Sequence, residues 1–127
     1  MKKIVFIIAA LALMSMTQGD SIITRNGKTT IKNTTALAEN VDGYNGPTPL
    51  KIHIENNRIV KIEALHNGET PKFFAKVKQN LLNKWNGMSV NKAMKAKVDG
   101  ATGATYSSNA VKENVRRGLE YYKKNKK

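Results

Sequence analysis

A chain of 127 residues has room for one small domain with a single core and not for two. It holds no cysteine, which excludes disulfide staples, thiolate metal centres and lipid attachment through an N-terminal cysteine. Its 22 lysines and arginines against 9 acids give a formal net charge of +13, which suits an anionic partner or membrane face and equally suits plain solubility.

Residues 1–19 read as a secretory signal: Lys2 and Lys3 open it, Ile4 to Met14 is unbroken and apolar, and Ser15, Thr17 and Gly19 follow. The run of about eleven residues is short for a bilayer span, which takes roughly 20. Cleavage is expected at Gly19/Asp20. The chain is therefore expected outside the cytoplasm, in the periplasm or its equivalent, with residues 20–127 as the working domain and no transmembrane segment in that mature part. Losing two lysines and no acid, the mature part keeps 20 basic and 9 acidic residues, a net charge of +11. Nucleic acid is a poor partner there. The basic tail at Lys123, Lys124, Lys126 and Lys127 has no interleaved aromatic for base stacking and reads as solvated. An exported small domain without disulfides needs its core or a bound ligand for stability.

In chain order, Asn26-Gly27 stands between two β-branched runs, Ile22 to Thr24 and Thr29 to Ile31, which predicts a hairpin. Gly43-Tyr44-Asn45-Gly46-Pro47 predicts a loop. Leu50, Ile52 and Ile54 alternate with polar residues, as do Val60, Ile62 and Ala64, which predicts a second hairpin. Keeping every apolar side chain on one face requires a three-residue turn, Asn56 to Arg58, that pairs Ile54 with Val60, Ile52 with Ile62 and Leu50 with Ala64. His53 falls on the wet face, and with His66 as its only fellow and no cysteine, no metal site is expected. After a loop from His66, Pro71 starts a helix whose apolar stripe is Phe74, Val77, Leu81 and Trp85, with Gly87 ending it. Phe73, Phe74 and Trp85 are assigned to packing, the alternative being that Trp85 flanks a ligand ring. Ser89 to Val98 suits a short helix. Ala110, Val111, Val115, Leu119 and Tyr122 place a firm helix from about Ser107 to Lys124. The expected fold is α+β: a small antiparallel sheet with two main helices in one domain.

The stretch Asp99-Gly100-Ala101-Thr102-Gly103-Ala104-Thr105-Tyr106-Ser107-Ser108 is rich in glycine and hydroxyls and opens onto that helix. Such a stretch can form an anion site, because glycines let backbone approach a phosphate and helix-start N–H groups and dipole favour its charge. It can equally be a loop with a serine cap. More hydroxyls are present than a cap needs, since Ala110 and Val111 stand where a capping box wants Glu or Gln. The order fits neither a nucleotide triphosphate loop nor a dinucleotide fingerprint.

This region resembles the FMN-binding domain found in the C subunit of the sodium-pumping NADH:quinone reductase and the G subunit of the Rnf complex. That family's flavinylation pattern is Asp, two residues, Ser or Thr, then Gly-Ala-Thr, and Asp99, Thr102, Gly103, Ala104 and Thr105 match it. Gly43 to Pro47 resembles the family's Gly-Tyr-x-Gly-Pro loop, and Glu69-Thr70-Pro71 its Glu-Thr-Pro loop, in the same order over residues 40–111. Lys72-Phe73 departs from the glycine and small apolar residue that usually follow, which implies a differently shaped pocket near Thr70.

The resemblance implies an FMN cofactor bonded through a phosphoester to Thr105 by an exported, magnesium-dependent flavin transferase. Implied contacts are Tyr44, Gly46, Thr70, Thr102 and the run Gly103, Ala104, Thr105, Tyr106, Ser107 and Ser108, with Asp99 and Thr102 to Thr105 read by the transferase. No catalytic constellation is visible, so electron transfer with redox partner proteins, acidic or membrane-bound, is expected in place of substrate turnover. Three alternatives remain: FMN held without a covalent bond, a flavin-free basic module binding an anionic polymer or membrane face, and a small reductase with its own substrate.

Overall fold

The computed structural model describes residues 22–125, so the signal segment and the last two lysines lie outside the described residues. Four strands form one antiparallel sheet in chain order: β1 (Ile23–Asn26), β2 (Thr29–Asn33), β3 (Leu50–Glu55) and β4 (Arg58–Ala64). Three helices follow: α1 (Pro71–Asn80), α2 (Val90–Lys95) and α3 (Thr105–Lys124), with a 3₁₀ turn at Leu82–Trp85. The α+β architecture and both hairpins are as the residue pattern dictates.

The β3–β4 register holds at Leu50 with Ala64, Lys51 with Glu63 and Ile52 with Ile62, but the turn is shorter than the alternation requires. Asn56 and Asn57 alone make it, at φ +50° and +60°, a conformation asparagine tolerates and one whose twist matches the flanking strands. Arg58 is already paired with Glu55. A bulge then absorbs the extra residue: Ile54 pairs with Ile59 instead of Val60, and Val60 turns outward at 45% exposure.

One sheet face carries Leu50, Ile52, Ile54 and Ile62 against Phe74, Val77, Leu81 and Trp85 from the α1 region and Val111, Val115 and Leu119 from α3. The expected single helix to Gly87 is broken after Asn80 into α1 and the 3₁₀ turn, which keeps its stripe buried. Gly118 brings α3 close to the sheet, since a Cβ there would stand 2.7 Å from the end of Ile52. A buried polar node locks the crossing: Thr34 donates to Asn114 at 2.5 Å and accepts from the Leu50 amide at 2.9 Å, while Asn114 donates to the Ala110 carbonyl. On the other face His53 pairs with Glu63 at 2.6 Å.

Phe73 is the correction to the expected core. It is 45% exposed, because the stripe that includes its neighbour Phe74 can point only one of two successive side chains inward.

Candidate functional site

The three motif segments meet at one carboxylate. Glu69, 5% exposed, accepts from the backbone amides of Tyr44 at 2.8 Å and Asn45 at 2.5 Å, and from the Ser107 hydroxyl. A side chain at Gly43 would collide with that carboxylate, so the glycine is what admits it. Burial opposes ionisation of Glu69, but the Ser107 hydroxyl and the two amides outweigh it and hold the pKa below the ordinary 4.5. Glu69 thereby fixes residues 24, 25 and 38 positions away in the chain.

Beside this junction lies a cavity of about 230 Å³ whose lining runs from Tyr44 through Glu69, Thr70 and Phe73 to residues 103–107 at the start of α3. Tyr44 and Tyr106 stand exposed with ring centroids 5.8 Å apart and planes tilted by 41°. Phe73, the departure from the family pattern, supplies an aromatic wall.

α3 begins two residues earlier than its apolar stripe implies, at Thr105, with Ala104 as N-cap and no side-chain cap. The first helical amide bond runs from Ser108 to Ala104, so the amides of Thr105, Tyr106 and Ser107 have no acceptor within the helix. The serines are inside the helix and are not caps. Ser107 is spent on Glu69, and the Ser108 hydroxyl, buried, accepts from the Ala101 amide at 2.9 Å. Gly100 makes room for it, since a Cβ there would stand 2.8 Å from Ser108. Thr105 is exposed and its hydroxyl is in no described hydrogen bond.

Gly103 turns the chain into the helix at φ +82°, and the Lys76 ammonium lies 3.2 Å from where its Cβ would be. Lys76 thus brings a cation from α1 to the helix start, and no sequence motif pointed to it. Thr102 and Asp99 face a separate depression shared with Lys76, Asn80, Lys84 and Gly100. Gly46 closes the 43–47 loop by accepting from the Gly43 amide at 2.8 Å and does not line the cavity; neither does Ser108. Trp85, 2% exposed, is in the core and away from it.

These residues suit FMN. A phosphate at the start of α3 finds three amides without an acceptor in the helix, a helix dipole worth about 0.3–1 kcal/mol and the Lys76 ammonium beside Gly103. The first turn itself carries no acid, and the one carboxylate among the cavity's described lining residues, Glu69, is engaged by Ser107 and two amides. An isoalloxazine ring finds three aromatic side chains. The cavity is smaller than the roughly 300 Å³ at which sites for drug-sized ligands begin, so part of such a cofactor would lie in solvent.

Comparison with curated proteins gives no match. A model of the FMN-binding domain matches residues 43–120, which begin at the first motif glycine and run through most of α3. The chain therefore belongs to the FMN-binding domain family and is a flavoprotein whose cofactor is FMN.

Proposed function

We propose that this chain is an exported electron carrier whose FMN is joined by a phosphoester to Thr105. The observation that carries the reading is the allotment of hydroxyls at the start of α3. Ser107 and Ser108 are buried and engaged, Thr102 faces another depression, and Thr105 alone of these four is both exposed and on the cavity. A flavin transferase from the same compartment can reach that oxygen, and Asp99, Thr102 and the Gly103 turn form the accessible surface it would read.

Bound FMN supplies the redox chemistry; the chain positions it and sets its surroundings. Tyr44, Phe73 and Tyr106 stand at the surface, so a ring held among them is open to a partner's redox centre. Lys76 and the unused amides favour added negative charge. Glu69, already accepting from three donors, is not available as a base, which argues for electron transfer without substrate turnover. A covalent tether suits an exported protein, because it replaces a dilution-sensitive equilibrium with a fixed local concentration. The strongly basic surface favours an acidic or anionic-membrane-bound redox partner, and electrostatic steering fits brief encounters.

The test is in-gel fluorescence of the denatured protein, exported from a host that has the transferase, beside Thr105→Ala. A fluorescent wild-type band that is lost in the variant is expected. Colour stripped from the wild type by acid precipitation would instead mean non-covalent FMN. A colourless wild type would sink the carrier reading.

A further inference from the structure

At the opposite end of α3, about 25 Å along the helix from Thr105 to Tyr122, a second cavity of about 290 Å³ opens between the β1–β2 turn, the β3–β4 turn and the last helical turn. Arg25, Lys28 and Lys32 line it together with side chains such as Asn56, Tyr122 and Asn125, and no acid is among its described lining residues.

Lys32 is the unusual member. It sits opposite Ile52 on the helix-facing side of the sheet, a position where the neighbouring strand carries core side chains, and is 1% exposed. Its ammonium lies 5.0 Å and 5.3 Å from the ring centroids of Tyr121 and Tyr122 and makes no hydrogen bond among the described residues. Burial, with Arg25 adding like charge, lowers its pKa from 10.5 to about 8. With no acid facing it among the described residues, this largely buried ammonium is costly to keep charged, and an apolar residue would suit the fold at that position. The flanking Arg25 and Lys28 are exposed, and Arg25 makes one hydrogen bond, to Thr30 at 3.2 Å.

We propose that this cavity is a binding site for a phosphate-bearing anion, with Lys32 as the buried counter-charge and Arg25 and Lys28 as the outer clamp. Three cations of two shapes around one cavity match a group with several oxygens and more than one negative charge; a single carboxylate would leave most of them unanswered. The chemistry is shared by free phosphate esters and by anionic phospholipid headgroups. The site is separate from the flavin site and does not depend on it.

The experiment titrates inorganic phosphate into the ¹⁵N-labelled flavinylated protein, against sodium chloride of matched ionic strength. Sedimentation with phosphatidylglycerol and phosphatidylcholine vesicles forms a second arm. Saturable amide shifts are expected around Arg25, Lys28, Lys32 and Tyr122, weakened about tenfold or more in Lys32→Gln, as loss of a charge-assisted hydrogen bond implies. Arg25→Gln, at an exposed position, should weaken them too and guards against a Lys32 variant that does not fold. Vesicle binding that is specific to phosphatidylglycerol and lost in both variants assigns the headgroup as ligand, and shifts with phosphate alone assign a soluble ester. Shifts that chloride reproduces, shifts confined to residues 103–107, or no response in either arm would overturn the proposal.

Discussion

Two buried charges at opposite ends of α3 meet opposite treatment. Glu69, near the N-terminal end, accepts from two amides and one hydroxyl, and its ionised form is favoured. Lys32, near the C-terminal end, has tyrosine faces and a neighbouring arginine but no acid among the described residues, and its ionised form is disfavoured. The first charge is spent on architecture: it draws three loops together and leaves Thr105 as the free hydroxyl. The second is left unspent. A charge met by hydrogen-bond donors explains itself through the fold, whereas one that faces tyrosine rings and an open cavity asks what else comes there.

The comparison breaks if the two charges respond alike to removal. Of the two charge removals, Glu69→Gln should have the larger effect, a loss of about 1–3 kcal/mol, because an amide cannot accept from all three donors. Chemical denaturation measures the loss, and hydrogen exchange at Tyr44 and Asn45 should rise with it. Lys32→Met should act in the other direction. At pH 7 and without phosphate it is expected to stabilise by about 1–2 kcal/mol, since it keeps the stem and removes a charge that burial and Arg25 disfavour.

The pH windows sharpen the contrast. Glu69 has a depressed folded pKa, so its contribution is present above the ordinary 4.5 and is lost as pH falls through the folded value. Lys32 also has a lowered pKa, but a lowered lysine penalises the charged folded state. That penalty is full below about pH 8 and is relieved as pH rises from 8 to 10.5. The stability gap between Lys32→Met and wild type should therefore shrink over that alkaline range. A gap independent of pH would contradict the assignment. The smallest effect belongs to Phe73→Ala, which should change stability by about 0.5 kcal/mol or less, as exposed positions do. The equivalent change at buried Phe74 should cost about 3–5 kcal/mol.

Much of this fold is legible in the residues, because strand and helix periodicities are imposed by which face is buried. Leu50, Ile52 and Ile62 register as the alternation demands, and Phe74, Val77, Leu81 and Trp85 form the expected stripe. The β3–β4 turn is not legible in the same way. A bulge at Val60 allows a two-residue asparagine turn without turning the core face outward, and alternation alone cannot anticipate a bulge. Phe73 and Phe74 are equally apolar in sequence, and only helix phase separates wall from core. At the site, motif order brought Tyr44, Thr70 and Thr105 into consideration, and they share one cavity. Glu69 was visible only as a motif letter, since its role lies in contacts across 24 to 38 residues. Lys76 and Lys32 carried no signal at all, because a lysine in a chain with 22 basic residues reads as surface until its neighbours are known.

The most direct test of the flavin assignment is tandem mass spectrometry of the tryptic peptide Val98 to Lys112 from the exported, flavinylated protein. That peptide holds Thr102, Thr105, Ser107 and Ser108 together. A single FMN-phosphoryl adduct on Thr105, with the other three unmodified, is the expected result. An adduct on Ser107 or Ser108 would contradict it, because their hydroxyls would have to abandon Glu69 and the Ala101 amide to react.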